Sequence, residues 1–175
     1  MKVVLHICCG VCAAGAAAEL LHEGHEVLGY YFNPNIHPQD EYRRRLEAAQ
    51  KVAHELRFSL VEGPYDPSKW LRQTAELAHE VEGGKRCNLC FEIRLRAACE
   101  FMNGMGAHAF TSTLTVGPKK SAEIINRIGR QIGGDTFLAR DFKKKDGFKK
   151  AIATAKVLQL YRQNYCGCIY SRREG

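Results

Sequence analysis

The apolar positions of the chain fall into short runs and helical stripes that alternate with one another. The short runs are rich in β-branched and aromatic residues and end near glycine, proline or asparagine, which is typical of buried strands. Five strands are predicted in this way, over residues 2–7, 26–32, 58–61, 107–115 and 136–139.

Apolar residues spaced three and four apart predict helices in the intervals between these runs. The clearest stripe lies in residues 38–56, where Tyr42, Leu46 and Ala49 share one face and the arginines 43–45 are expected around it. The other predicted helices cover 13–22, 66–79, a segment with Cys87 and Cys90 in its first turn, a segment from Gly117-Pro118 to about 132, and 147–162.

Strands that alternate with helices indicate parallel strands joined by crossovers. No repeat, low-complexity segment or linker divides the chain, so we expect a single three-layer α/β domain over residues 1–175. Its sheet should be mostly parallel with about five strands, Rossmann-like or PP-loop-like, and should bind its ligand at the carboxyl ends of the strands. Cys8, Cys9 and Cys12 directly follow the first strand, which places them at that edge.

The chain carries a net charge of +7, and the positive excess lies in its C-terminal third. From Lys119 onward there are 14 Lys or Arg residues against 5 Asp or Glu. Such a surface is typical either of a solvated helix face or of a site for a polyanion such as nucleic acid. No apolar run is long enough to span a bilayer, and no secretory signal is visible, so we expect a cytoplasmic protein with no membrane partner.

Eight cysteines are unusual in a chain of this length, and in a reducing cytosol they favour metal or redox chemistry over structural disulfides. Seven of them form three groups, Cys8-Cys9-x-x-Cys12, Cys87-x-x-Cys90 and Cys166-x-Cys168. Two C-x-x-C groups can supply the four ligands of a tetrahedral zinc or of a [4Fe–4S] cluster. Three thiols are then left over, which favours a redox metal site with additional reactive thiols over a structural zinc.

The Cys166-Gly167-Cys168 pair suits electron transfer or metal binding, because a disulfide across one residue closes a strained ring that is easily reduced. Cys99 stands apart beside the apolar stripe of its helix, and we expect it in the core as a small apolar residue. No glycine-rich phosphate loop of the dinucleotide or P-loop type is present, so a nucleotide cofactor has no motif to support it.

Five motifs follow one another along the chain. They are Cys8-Cys9-Gly10-Val11-Cys12, Arg86-Cys87-Asn88-Leu89-Cys90, the segment 113–120, Asp141-Phe142-Lys143-Lys144-Lys145, and the segment 161–168. Together, over residues 1 to about 171, they resemble the QueH family of epoxyqueuosine reductases. The sequence departs from the family motif at Val11, where proline is usual, and at Gly117, where serine is usual, and neither change removes a ligand.

The resemblance implies an iron–sulfur oxidoreductase that reduces epoxyqueuosine to queuosine at the wobble position of tRNA, supplied by a separate electron donor. By motif, the ligands of a [4Fe–4S] cluster would be Cys8, Cys9, Cys87 and Cys90. An additional iron ion would lie beside the cluster, with Cys12 as one of its ligands.

The same resemblance makes Cys166 and Cys168 a redox-active pair, a disulfide when oxidised, and candidate companions of Cys12 at the second iron. Reduction of an epoxide takes two electrons, whereas a cluster passes them singly, which gives the surplus cysteines a chemical reason. Asp141, Tyr165 and Lys144 lie in or beside these motifs and are candidate proton donors, of which Asp141 is predicted to be catalytic. The residues predicted to bind tRNA phosphates are Lys143, Lys144, Lys145, Lys149 and Lys150.

Two other functions are compatible with parts of the pattern. A non-catalytic, zinc-stabilised RNA-binding module would use Cys87 and Cys90 with two other thiols, and it would be colourless with a single zinc. An adenylating tRNA thiolase of the PP-loop type would share the architecture. It is disfavoured because the S-G-G-x-D-S loop that it needs after the first strand is replaced here by the first cysteine motif.

Overall fold

Four strands and six α-helices alternate through residues 1–172, the part of the chain that this computed structural model describes. The strands are β1 (Lys2–His6), β2 (Glu26–Tyr31), β3 (Ser59–Glu62) and β4 (Ala109–Ser112). The helices are α1 (Gly10–His22), α2 (Gln39–Leu56), α3 (Pro67–Thr74), α4 (Lys85–Gly104), α5 (Ala122–Gly133) and α6 (Gly147–Val157). None of the helices in this part of the chain has both the length and the apolar character needed to cross a membrane.

The four strands form one parallel sheet in the order β3-β2-β1-β4. In the central strand β1, Val4 lies opposite Leu28 of β2 and Phe110 of β4. Helices α1, α2 and α6 pack together on one face of the sheet, and α4 packs with α5 on the other. The core lies around β1, where Val3, Val4 and Leu5 are wholly buried. The predicted three-layer α/β fold with a mostly parallel sheet is confirmed.

The fifth predicted strand, over residues 136–139, does not form. Only Phe137 makes a parallel bridge, with Phe110 of β4, and the N–H of Leu138 donates to the Phe110 carbonyl at 2.9 Å. The chain arrives through a tight 3-10 turn, Gly134–Thr136, so very little of it runs alongside β4. The Phe110 and Phe137 rings are in contact, with their centroids 5.1 Å apart. This contact, rather than a ladder of strand hydrogen bonds, holds the segment against β4.

The neighbouring strands β1 and β4 are followed by connections that leave toward opposite faces of the sheet. After β1 the chain enters α1, and after β4 it passes through a 3-10 turn, Thr113–Val116, toward α5. This divergence opens a crevice at the carboxyl edge of the sheet, where open α/β folds bind their ligands. The N–H of Cys8 donates to Thr113 Oγ1 at 3.0 Å and so joins the two sides. The first cysteine motif therefore begins at this crevice.

The start of α1 lies very close to α2. A Cβ atom on Gly10 would lie 2.7 Å from the backbone carbonyl carbon of Ala48, so the crossing accepts only glycine without a shift of one helix. Ala13 and Ala14, in the first turns of α1, are also small and buried. The close approach fixes the amino end of α1, and with it the first cysteine motif, against α2.

Candidate metal centre

Cys8, Cys9 and Cys12 form a buried triad between β1 and α1. Their three Sγ atoms lie within 4.8 Å of one another, and no member of the triad is more than 7% exposed. Cys9 is the N-cap residue of α1, and its Sγ accepts a hydrogen bond from the N–H of Cys12 at 3.4 Å. The strand end and the helix start thus bring three thiols to one place, as a metal site requires.

Within the triad, Cys8 is the thiol that ionises most readily. Hydrogen bonds from the Cys12 and Cys9 thiols hold the pKa of Cys8 well below its usual value, although burial acts in the opposite direction. The Thr113 hydroxyl adds a further bond, donated to Cys8 Sγ at 3.2 Å. The same thiol contacts raise the pKa of Cys12 well above its usual value, because its ionisation would place thiolates side by side. A bound metal ion would have to displace the protons that remain.

Four further thiols line a small cavity of about 40 Å³. Cys87 and Cys90 come from the first turns of α4, and Cys166 and Cys168 come from the loop that follows α6. Cys90 and Cys168 pack against Trp70 in an apolar cluster of their own. Burial raises the pKa of Cys90 to about 11, so this thiol keeps its proton at neutral pH in the metal-free protein. The second and third cysteine motifs therefore meet in space, and all eight cysteines are free thiols.

Two cations, Arg94 and Lys120, join the triad to this cavity. Both line the cavity. Burial disfavours the charged guanidinium, yet the Cys90 and Cys166 thiols outweigh it and keep the pKa of Arg94 above its usual value. Burial is likewise outweighed at Lys120, whose pKa is raised by Cys166 of the cavity and Cys8 of the triad. The same two cations therefore interact with thiols of both groups, since Cys8 and Cys166 contribute at each of them.

The loop that carries Cys166 and Cys168 is held in place by α2. Arg45 donates from Nη1 to the Cys166 carbonyl at 2.9 Å and from Nη2 to the Tyr165 carbonyl at 3.0 Å. The Nε of Arg45 pairs with Glu41 at 2.7 Å, and the two side chains are only 3% and 6% exposed. All three nitrogens of the guanidinium group are engaged, so one buried side chain fixes the loop to the helix.

Arg45 is the functional residue that the sequence pattern misplaced. The pattern put it around the apolar face of its helix, whereas the structure buries it. A signal was present, because Arg45 is three residues after Tyr42 and four before Ala49, which is the spacing of one helical face. Gly167 is fitted to the same contact: its φ of 117° favours glycine, and a Cβ atom there would lie 2.9 Å from Arg45 Nη1.

A larger cavity of about 280 Å³ lies beside the thiols. It is lined by Cys12 of the triad, by Cys166 and by the apolar side chains of Phe148 and Ile152 from α6. Gln163 also lines it, and the amide oxygen of Gln163 is buried without a hydrogen-bond partner in the protein. The cavity thus combines apolar side chains from α6 with basic residues, among them Lys119 and Lys120, and an unpaired acceptor, which suits a ligand that has both apolar and polar surface.

Of the five lysines predicted to bind tRNA, Lys143 makes internal contacts. Its Nζ donates to the carbonyls of Thr115 and Lys120 at 3.0 and 2.9 Å, and it lies 3.5 Å from the Asp141 carboxylate. These bonds fasten the segment that brings Lys120 to the thiols. The lysines with exposed side chains are Lys144, Lys145, Lys149 and Lys150.

Asp141 and Cys99 line neither of the two cavities that contain Cys166. The Asp141 carboxylate accepts a hydrogen bond from the N–H of Lys143 at 3.2 Å, which shapes the turn before α6. Cys99 lies on α4, partly buried against the core, and burial raises its pKa. The structure thus separates Cys99 from the seven clustered cysteines, in line with its predicted place.

The comparison with protein families matches residues 3–174 to the family described as "Epoxyqueuosine reductase QueH". Curated relatives with that name include one from Staphylococcus aureus, 34% identical over 97% of this chain and 75% of its own length. Another, from Streptococcus pyogenes, is 33% identical over 98% of this chain and 71% of its own length. A third, from Dehalococcoides mccartyi, is 33% identical over 99% of this chain and 93% of its own length.

Two solved structures share the fold at low sequence identity. One is the U34-tRNA thiolase NcsA from Methanococcus maripaludis with its [4Fe-4S] cluster, with a TM-score of 0.60 and 14% identity over 99% of this chain. The other is NMN synthetase from Francisella tularensis, with a TM-score of 0.54 and 13% identity over 94% of this chain. The chain spans 62% of the thiolase and 66% of the synthetase. These similarities show that the α/β fold of the chain is shared with both proteins.

Proposed function

The chain belongs to the QueH family of epoxyqueuosine reductases, which are oxidoreductases, and from that premise we propose that the protein reduces epoxyqueuosine in tRNA to queuosine. The observation that carries the proposal is that the three cysteine motifs adjoin one another: Cys166 lines one cavity with Cys87, Cys90 and Cys168, and a second cavity with Cys12 of the buried triad. A structural zinc would use four of these thiols and would leave three without a role.

Cys8, Cys9, Cys87 and Cys90 are the proposed ligands of a [4Fe–4S] cluster. The donor set fits such a cluster, because cysteine thiolates hold iron–sulfur clusters and Cys8 is already disposed to ionise. The buried Nη2 of Arg94, which has no partner in the protein, fits as well, since a buried cation requires a nearby negative charge. A bound cluster supplies electrons one at a time.

Cys12, together with Cys166 or Cys168, is the proposed ligand set for an additional iron. This assignment is supported by the larger cavity, whose lining contains Cys12 and Cys166. Thiolates are suitable ligands for iron, and two cysteine ligands would leave coordination positions open.

The Cys166 and Cys168 thiols can also account for the electrons and protons of the reaction. Removal of the epoxide oxygen breaks two C–O bonds, consumes two electrons and two protons, and releases one water. When a dithiol is oxidised, two S–H bonds break and one S–S bond forms, which releases two electrons and two protons. A separate electron donor must then reduce the disulfide. We propose that Asp141, paired with Lys143, assists the supply of protons.

The modified base is proposed to enter the cavity between α6 and the loop that follows it. Phe148 and Ile152 offer an apolar surface to the base, and the unpaired oxygen of Gln163 can accept a hydrogen bond from it. The bases of an anticodon loop are already splayed, so little stacking energy is lost on entry. The phosphates around the base would meet the exposed lysines of the C-terminal third, Lys144, Lys145, Lys149 and Lys150.

An anaerobic assay on tRNA that carries epoxyqueuosine, with a chemical reductant, tests the function. Wild type and Cys99→Ser should form queuosine, whereas Cys9→Ser and Cys168→Ser should lose most of the activity. Nucleoside analysis of the digested tRNA by mass spectrometry measures the product. No queuosine from wild type would refute the function, and full activity in Cys9→Ser and Cys168→Ser would refute the site.

A further inference from the structure

Arg94 is a buried cation without a charged partner in the protein. The residue is 2% exposed, its Nε donates to the Cys90 carbonyl at 3.3 Å, and its Nη2 has no hydrogen-bond partner. Among the ion pairs formed within residues 1–172, none includes Arg94. An unpaired buried charge is strongly unfavourable. Its counter-charge must therefore come from the sulfur atoms of the cavity that it lines.

Trp70 brings a second unpaired donor to the same cavity. The residue is 1% exposed, and its indole Nε1 has no hydrogen-bond partner in the protein. It packs against Cys90 and Cys168.

We infer that Arg94 and Trp70 donate N–H···S hydrogen bonds to sulfur atoms of the metal centre and make that centre easier to reduce. The inference rests on the proposed iron–sulfur cluster. Each electron that the centre accepts adds negative charge to its sulfur atoms, so a fixed cation and fixed N–H donors stabilise the reduced form more than the oxidised form. Hydrogen bonds to sulfur and the groups behind the ligands are established determinants of cluster potentials.

Trp70 and Arg94 would stabilise the reduced centre in different ways. Trp70 supplies a neutral donor, which Trp70→Phe removes while it keeps an aromatic side chain. Arg94 supplies a donor and a full charge, which Arg94→Met removes while it keeps the length of the side chain. Arg96 provides a matched control, because it lies on the same helix, is exposed and pairs with Glu92 at 2.7 Å.

The test compares wild type, Trp70→Phe, Arg94→Met and Arg96→Met after anaerobic reconstitution with iron and sulfide. Iron and sulfide per chain are measured first, and an optical redox titration then gives the midpoint potential. Trp70→Phe should keep its iron. Its equilibrium constant for reduction should be about tenfold smaller than that of wild type, so its midpoint potential should be about 59 mV lower for a one-electron step. The midpoint potential of Arg94→Met should be lower still, and this variant should lose part of its iron. Arg96→Met should match wild type.

Loaded Trp70→Phe and Arg94→Met proteins that titrate at the wild-type potential would overturn the inference and leave the proposed function intact. A wild type that takes up no iron would refute both. Circular dichroism of the metal-free proteins separates a folding defect from an effect on the centre. If Arg94→Met does not fold, the potential of Trp70→Phe decides the question.

Discussion

The two thiol groups of the metal centre are positioned in different ways. Cys8, Cys9 and Cys12 belong to one five-residue motif, and a strand end and a helix start orient them locally. The loop of Cys166 and Cys168 has no such support, because it follows α6 as irregular chain and is fixed by a guanidinium group from α2. The triad is thus part of the core, whereas the loop of Cys166 and Cys168 is held by long-range contacts, from Arg45 and from the N–H of His37, which donates to the Gly167 carbonyl at 2.8 Å.

This difference suits a division of labour. Thiols that hold a cluster should not move, whereas a dithiol that forms and breaks a disulfide needs some freedom. We therefore expect the C-terminal loop to move more readily than the triad, which lies at the crevice between β1 and β4.

The largest effect on stability and on the C-terminal loop is expected for Arg45→Met. It leaves the buried Glu41 carboxylate without its ion-pair partner, and the loss of one partner of a buried pair costs about 3–5 kcal/mol of unfolding free energy. Alkylation of Cys166 and Cys168 in the metal-free protein should become faster, with no change at the triad. Urea unfolding and mass spectrometry of alkylated peptides measure the two effects.

Arg43→Met is the control for Arg45→Met, since Arg43 is exposed on the same helix. It should change neither stability nor alkylation. Equal alkylation rates of the C-terminal loop in both variants would show that Arg45 does not hold the loop.

His6, close to the triad, should make the stability of the metal-free protein depend on pH. The ring of His6 is wholly buried, with bonds to Ser112 Oγ at 2.9 Å and to the Phe32 carbonyl at 3.0 Å, and burial lowers its pKa to about 4. Between about pH 6.5 and pH 4 the unfolded chain binds a proton that the folded chain does not. The metal-free protein should therefore lose about 3 kcal/mol of unfolding free energy as the pH falls through this window.

His6→Gln should flatten that pH dependence, because glutamine binds no proton. Urea unfolding at several pH values checks it, with His54→Gln, at an exposed position, as the control. The same acid slope in His6→Gln and wild type would contradict the assignment.

Gly10→Ala should loosen the triad by a smaller amount. The new Cβ would meet the Ala48 backbone at 2.7 Å, and overpacking of this kind costs about 1–3 kcal/mol. Gly104→Ala is the control, because nothing lies within 4 Å of a Cβ there and alanine restricts the unfolded chain. The midpoint temperature of thermal unfolding, Tm, should therefore fall for Gly10→Ala and rise slightly for Gly104→Ala. Equal changes of Tm in the two variants would contradict the close contact between α1 and α2 at Gly10.

The smallest effect is expected at the surface. Lys144→Gln with Lys145→Gln should lower the salt dependence of binding to an anticodon stem-loop, by roughly 0.7 to 0.9 in log–log slope for each phosphate that the variant no longer neutralises. Iron content should not change. The pair Lys51→Gln with Lys69→Gln removes the same charge from exposed positions elsewhere. Equal slopes for the two double variants would place the RNA on another face.

Local patterns were sufficient to predict the strand that ends at the triad, the α4 start that carries Cys87 and the alternating α/β order. They failed at a turn that interrupts an apolar run and at a contact between distant parts of the chain. The apolar run 136–139 looks like a strand, but the turn before it leaves only Phe137 in register with β4. The burial of Arg45 depends on a loop more than a hundred residues away, so spacing indicates its face but cannot name its partners.

The central claim is that the separate cysteine motifs build one iron–sulfur centre. Anaerobic purification of wild type, Cys8→Ser, Cys90→Ser and Cys99→Ser, followed by iron and sulfide analysis and visible absorption, tests it most directly. Wild type and Cys99→Ser should be brown with at least one [4Fe–4S] cluster per chain, and Cys8→Ser and Cys90→Ser should each lose it. A colourless wild type with a single zinc, or a full cluster in either Cys8→Ser or Cys90→Ser, would contradict the claim.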